Sequence, residues 1–367
     1  MKPQSDKTPK LKSVAASANL SNVETLRRTV RFGSSQLDFG DSLQASANWP
    51  APDTIIADGP YGLGKFPGEP ATTKHLAQWY APHAAEWSKR AKPGTTLWFW
   101  NSEIGWAMVH PMLEAHGWEY QECCVWDKGV AHVAGNCNSK TIRGVPVVTE
   151  VAVRYTKKAT LPSSNWVQLP IKEWVREEWL RSGLPMNQAN EACGVKNAAT
   201  RKYLTQCHLW YFPPAEAMVK MASYCEENGA PNNGRPYFSL DGKSPLRPEA
   251  WNLMRSKWNH AHGLTNVWRA PAVHGVERFK GENGYVHANQ KPLALLDIQI
   301  RSSTDLGDVV WEPFGGLCSA AVAALRLDRR FFVAEIFPDY FDASVERLAK
   351  EYKFKEMVNG NDEQRAA

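Results

Sequence analysis

The period of hydrophobic and polar positions changes several times along the chain, and each change marks an element. Thr54-Ile55-Ile56-Ala57 is a short apolar run of the kind buried on both faces, and it stops at Asp58-Gly59-Pro60-Tyr61. Residues 74–91 carry Leu76, Tyr80, Ala84 and Trp87 at helical spacing, with Pro82 inside the pattern, which predicts a helix that kinks or restarts there. Lys92-Pro93-Gly94 ends it, and 95–100 predicts a second buried strand. A helix over 104–116 and strands over 120–126 and 148–155 follow. Strand–helix alternation of this kind predicts a parallel sheet. Upstream, Ser21-Asn22-Val23-Glu24 is a capping box opening a short helix, and Phe39-Gly40-Asp41 closes a short segment.

From 157 to 265 the alternation is lost. Asn, Pro and Trp become frequent and basic residues recur. Asn187 to Leu204 reads as a helical hairpin about Gly194, with a weaker helix-turn-helix signal. After 265 the alternation returns. Pro292 suits a first helical position before a helix over 293–303; 308–314 is a strand, 319–327 a helix, 330–336 a strand and 339–352 an amphipathic helix. The expected organisation is a disordered basic tail (1–20), a first part of an α/β domain (21–156), an inserted domain (157–265), the second part of the α/β domain (266–356) and a frayed tail (357–367).

Composition narrows the function classes. The 367 residues suffice for a large core, and no apolar run reaches membrane-span length. Met1 to Ser17 is polar and basic and carries no signal core. Seven cysteines without a CxxC pair predict reduced thiols in a cytoplasmic protein and argue against a zinc site. A net charge of +5 is compatible with a polyanionic partner.

Two stretches carry candidate chemistry. Ligands of open α/β sheets bind beyond the carboxyl ends of strands, which is where Asp58, Pro60 and Tyr61 fall. Val309-Val310-Trp311-Glu312-Pro313-Phe314-Gly315-Gly316 is a strand, an acidic residue and a glycine turn into a helix. The next strand ends in Glu335, where a ribose-binding carboxylate falls in a nucleotide-binding βαβ unit. His287-Ala288-Asn289-Gln290-Lys291-Pro292 precedes a helix, and a lysine at a helix start favours an anionic group.

In order and content these segments resemble an amino-group DNA methyltransferase of the β class, the circularly permuted arrangement. The family's D/N/S-P-P-Y motif resembles Asp58 to Tyr61, its H-x-x-Q-K-P segment resembles His287 to Pro292, and its D-P-F-x-G-S-G loop resembles Glu312 to Cys318. Gly40-Asp41 resembles its G-D pair, and Trp126-Asp127-Lys128 its W-x-K. The chain departs from the pattern at Gly59 (for proline), Glu312 (for aspartate) and Leu317-Cys318 (for Ser-Gly).

The resemblance implies a Rossmann-like fold with an inserted target-recognition domain, S-adenosylmethionine as cofactor and double-stranded DNA as partner. It is compatible with a homodimer and with a companion restriction endonuclease. Asp58 and a backbone carbonyl, that of Gly59 before that of Pro60, would accept the hydrogens of an exocyclic amine on a flipped base, and Tyr61 would stack on that base. Glu312, Pro313, Phe314, Gly315, Gly316 and Glu335 would hold the cofactor, with Lys291 near its carboxylate and Asp41 near its adenine. Lys140, Arg143, Lys196, Arg201, Lys202, Arg235 and Arg255 would contact DNA. Asp at position 58 leans toward N6 of adenine, with N4 of cytosine as the near alternative. Two further readings stand apart: Gly59 to Phe66 nearly spells a P-loop, and a chain with an altered glycine loop could bind DNA without catalysis.

Overall fold

A computed structural model describes residues 28–133, 142–281 and 289–366. The 1–20 tail, the capping box at 21–24, Lys140 and His287 lie outside the described residues.

Among the described residues eleven strands form in chain order: β1 Thr29–Phe32, β2 Ser35–Phe39, β3 Thr54–Ala57, β4 Thr96–Asn101, β5 Trp118–Asp127, β6 Thr149–Lys157, β7 Thr160–Pro162, β8 Gln168–Pro170, β9 Val267–Arg269, β10 Val309–Glu312 and β11 Arg330–Glu335. Nine of them make one sheet in the order β1-β2-β11-β10-β3-β4-β6-β5-β9, while β7 and β8 pair separately. The strands β2, β11, β10, β3 and β4 run parallel to one another. This is the α/β, Rossmann-like architecture that the resemblance implies.

The sheet is mixed, however, where sequence reading makes it parallel. β6 lies antiparallel between β4 and β5. Parallel neighbours need a long crossover, usually helical. No α-helix separates β5 from β6 among the described residues, so the two pair antiparallel.

Period-two alternation in the central strands builds both faces of the core. Ile55 and Ala57 of β3, with Leu97 and Phe99 of β4, meet Tyr80 and Trp87 of the helix Leu76–Arg90 and Leu113 of the helix Glu103–Ala115. Ile56, Trp98 and Trp100 point the other way, into Leu296 and Ile300 of the helix Leu293–Ser303 and Val322 of the helix Ser319–Arg326. Pro82 does not restart the first of these helices, which runs without interruption from Leu76 to Arg90. Burying Leu76, Tyr80, Ala84 and Trp87 on one face outweighs the roughly 3 kcal/mol that an internal proline costs.

The basic 157–265 stretch gathers around a core of its own, with Trp174, Trp179, Met218, Met221 and Trp251 buried together. Within it the Asn187 to Leu204 stretch forms a short helix, Gln188–Ala192, and a π-helical turn, Ala199–Tyr203. Pro292 sits one position before the helix it precedes, as its cap. The last helix runs Pro338–Ala366, so its backbone continues through most of the tail expected to fray. Among the described residues no helix is long and apolar enough to cross a membrane.

Candidate active site

From β3 the chain moves to β4 on one side of the sheet, and from β10 to β11 on the other. The crevice between β3 and β10 is therefore a topological switch point, where open α/β sheets bind ligands. A cleft of about 2330 Å³ opens there, lined by Asp58, Tyr61, Lys291, Glu312, Phe314 and Glu335 among others. Asp41, Pro60, Gly59, Pro313, Gly315 and Gly316 line it too. The catalytic and cofactor candidates named from sequence thus share one cavity.

Asp58 leaves the end of β3 and meets Lys291, whose ammonium donates to both carboxylate oxygens at 2.7 and 2.8 Å. Lys291 is nearly sealed from solvent, at 4 % exposure, and also lies 3.4 Å from Glu150 Oε2. The Tyr61 hydroxyl stands between the two acids, 2.9 Å from Glu150 and 3.2 Å from Asp58. Lys128 donates to the other Glu150 oxygen at 2.6 Å. Burial pushes the Asp58 carboxyl above its ordinary value, with the Lys291 charge opposing. At Glu150 burial also pushes upward, but Lys291 and Lys128 win and hold the carboxyl below its usual range. Burial works against the Lys291 ammonium, yet its two acidic neighbours raise its pKa. The sequence reading put Lys291 beside a cofactor carboxylate; in the structure its anionic partners are the protein's own acids.

The backbone of the motif is also committed. The Pro60 carbonyl accepts from the Tyr80 hydroxyl and from Asn101 Nδ2, each at 3.0 Å, so both its lone pairs are taken. Gly59 has no room for a side chain. A Cβ there would lie 2.6 Å from the Tyr80 hydroxyl oxygen and 2.7 Å from the Phe314 ring. Glycine in place of the family's proline is thus matched to this packing. Gly59→Ala is expected to cost about 1–3 kcal/mol through overpacking, read as a lowered midpoint in denaturant; an unchanged midpoint counts against the tight fit.

On the β10 side, Glu312 caps the next helix, accepting from Ala320 and Ala321 amides at 3.0 and 2.8 Å. Glu335 ties the glycine turn to the end of β11, accepting from Gly316 at 2.6 Å and Phe337 at 2.7 Å. Burial lifts Glu312 to about 8 and Glu335 to about 7. Cys318 takes the left-handed conformation, φ 54°, that glycine adopts at no cost. Its side chain is fully buried, and it is not among the residues lining the cleft. The substitution therefore leaves the cavity clear. Phe314 packs among Trp79, Tyr80 and His83, at ring separations of 5.6, 6.0 and 5.2 Å. Asp41 caps a short helix through the Leu43 amide.

Of the basic candidates, Arg143, Lys196, Arg201, Lys202 and Arg255 are exposed. Arg235 is not presented outward. It pairs with Glu178, itself 1 % exposed, and donates to the Pro162 and Ser163 carbonyls. A carboxylate buried that deeply needs a cation beside it. The P-loop reading loses its phosphate cradle, because the amides of Tyr61, Leu63, Lys65 and Phe66 already donate to Glu69.

A sequence profile described as DNA methylase, for N6 and N4 amino methylation, matches residues 52–346. The chain belongs to this DNA methylase family. The chain is 34 % identical over 138 residues to the type II methyltransferase M2.MboI of Moraxella bovis, covering 35 % of this chain and 49 % of that protein. It is 33 % identical over 103 residues to the DNA adenine methyltransferase YhdJ of Escherichia coli (strain K12), covering 28 % and 34 %. The matched segments thus span half or less of these curated relatives. Among solved structures, an M1.HpyAVI–SAM complex aligns with TM-score 0.46 at 15 % identity, over 85 % of this chain and 98 % of that chain.

Sequence reading missed three residues that hold the Asp58 motif through Pro60 and Tyr61. Tyr80 was assigned only to a helix core, Asn101 ends the buried run of β4, and Glu150 stands at the mouth of β6. Asn101 carried a signal, being a polar side chain just where a buried strand stops.

Proposed function

We propose that the chain transfers a methyl group from S-adenosylmethionine to the N6 amine of adenine in double-stranded DNA. The observation that carries the reading is that the Asp58 motif and the glycine turn line one crevice, so close that a Cβ on Gly59 would collide with the Phe314 ring. It joins an acceptor for an amine to a cradle for a cofactor.

The residues fit that cofactor. Glu312 and Glu335 are buried acids whose pKa values burial has raised, and a cationic ligand relieves that cost. Glu335 would accept from ribose hydroxyls, and Gly315 and Gly316 leave room for close backbone approach. Pro313 and Phe314 would pack on the ligand, and Asp41 would meet its adenine. Once bound, the cofactor supplies a methyl group made electrophilic by its sulfonium.

The chain's own residues prepare the nucleophile. The lone pair of an exocyclic amine is delocalised into the ring, and two acceptors on its hydrogens draw the nitrogen toward tetrahedral geometry. Asp58 is one acceptor. Because the Pro60 carbonyl is saturated, Gly59 supplies the other. The raised pKa of Asp58 also suits it to take the departing proton. Tyr61 stacks on a base flipped from the duplex. Arg143, Lys196, Arg201, Lys202 and Arg255, with Lys140 beyond the described residues, hold phosphates. The 157–265 lobe reads the target, as a segment inserted into a permuted catalytic domain.

Adenine is favoured over cytosine by aspartate, rather than serine, at the head of the motif, and the name of YhdJ agrees. Long-read sequencing of DNA from cells expressing the protein tests base and target together. N6-methyladenine at one recurring sequence is expected; N4-methylcytosine alone would overturn the choice of base, and unmodified DNA the reading itself.

A further inference from the structure

We infer that Glu69 is the positioning residue of the active site: its carboxylate fills a ring of backbone amides and thereby fixes both Tyr61 and a strap across the cofactor cleft. This deepens, and rests on, the methyltransferase reading above.

Glu69 Oε1 accepts from the amides of Tyr61 at 2.9 Å and Leu63 at 3.2 Å, and Oε2 from Lys65 at 2.8 Å and Phe66 at 3.3 Å. Such a concave array of amides is an anion site. Here the anion is part of the chain. Burial alone would raise the Glu69 pKa, but the four amides outweigh it and lower it, which keeps the site charged.

The array requires an unusual backbone. Gly62 and Gly64 have φ of +73° and +61°, and a Cβ at Gly62 would lie 2.7 Å from the Thr73 amide nitrogen. No strand or helix supports this segment. Its further ties are a Gly64 amide bond to the Pro70 carbonyl at 3.2 Å and the Trp79 indole on the Gly68 carbonyl at 3.0 Å.

The strap spans the cleft. It starts at Tyr61, whose hydroxyl meets Asp58 and Glu150, and Leu63, Lys65 and Phe66 line the cavity. Phe66 reaches the opposite rim, with its ring 6.2 Å from Phe337 and 6.5 Å from Tyr340. Phe337 follows Glu335 closely and donates its amide to that acid. One carboxylate thus links the residue that meets the base to the wall beside the cofactor acid. Neutralising or removing it leaves the amides without their anion and frees Tyr61 and Phe66 together.

The test compares the full-length protein with Glu69→Ala and with Glu69→Gln, which preserves side-chain size if the alanine variant folds poorly. Hydrogen exchange is followed in peptides covering 60–70, and transfer of tritiated methyl groups to unmethylated bacterial genomic DNA is followed in parallel. Both are run in sodium acetate and in sodium chloride at equal ionic strength. Amides 61–66 should exchange at least about tenfold faster in both variants, and kcat should fall about tenfold, since bonds to a charged acceptor are lost. Acetate should restore protection and part of kcat to Glu69→Ala but not to Glu69→Gln, whose amide still fills the space. Unchanged exchange at 61–66, or loosened amides with full kcat, would overturn the inference. Absence of methyl transfer even from the wild type, with acetate still tightening the alanine variant, would sink the methyltransferase reading and leave the anchor standing.

Discussion

Asp58→Asn will lower methyl transfer to DNA by about 10²–10⁴-fold, the usual worth of a positioned proton acceptor. Asparagine keeps the shape but offers one acceptor oxygen where the carboxylate offers two, and it carries no charge. Cofactor binding, measured by calorimetry, should change little, because the glycine turn and Glu335 are untouched. DNA binding should also survive. Turnover within tenfold of the wild type would remove Asp58 from the mechanism.

Lys291→Met is expected to cost about 3–5 kcal/mol of stability near neutral pH, the range for breaking a buried ion pair from one side. The methionine leaves Asp58 and Glu150 facing each other through Tyr61 with only Lys128 to balance them. The pH dependence follows from the direction of the shifts. In the wild type the raised pKa of Lys291 gives stability that is present below its unfolded value and lost only as pH climbs through the folded one. In the variant both carboxyls lose an attractive charge, so the Asp58 pKa rises further above its unfolded value and the Glu150 pKa loses the pull that held it down. Through Asp58 the folded variant then binds protons more readily than the unfolded chain, and its deficit shrinks as pH falls toward the carboxylate range. The acid limb of its pH–rate profile should move to higher pH. A deficit that is flat across that range would show that Lys291 contributes packing rather than charge.

These two variants also show where sequence reasoning reached and where it stopped. The bounds of β3 were legible because a strand buried on both faces is apolar throughout, and its last residue is followed directly by the chemistry. The glycine turn after β10 was legible for the same reason. Glu150 was not. A search of strand carboxyl ends overlooks it, because β6 runs antiparallel to β4 and brings its first residues, not its last, to Tyr61 and Lys291. The register shows this, pairing Asn101 with Val151 and Trp126 with Glu150. Lys291 was found, but its anionic partners depend on contacts between residues 58, 150 and 291 that no local pattern encodes. Arg235 shows the opposite error. A basic residue in a basic region reads as surface, and only the buried Glu178 explains its inward turn.

The tryptophan-rich core of the insertion bears on how such a protein diversifies. Because Trp174, Trp179 and Trp251 pack in the lobe's own core, apart from the clusters on the two faces of the sheet, substitutions on its outer face are expected to leave the sheet that holds Asp58 unstrained. Under the proposed division of labour, natural selection can rewrite the letters recognised while inheriting the reaction intact, so descendants of one enzyme can mark different words with the same pen.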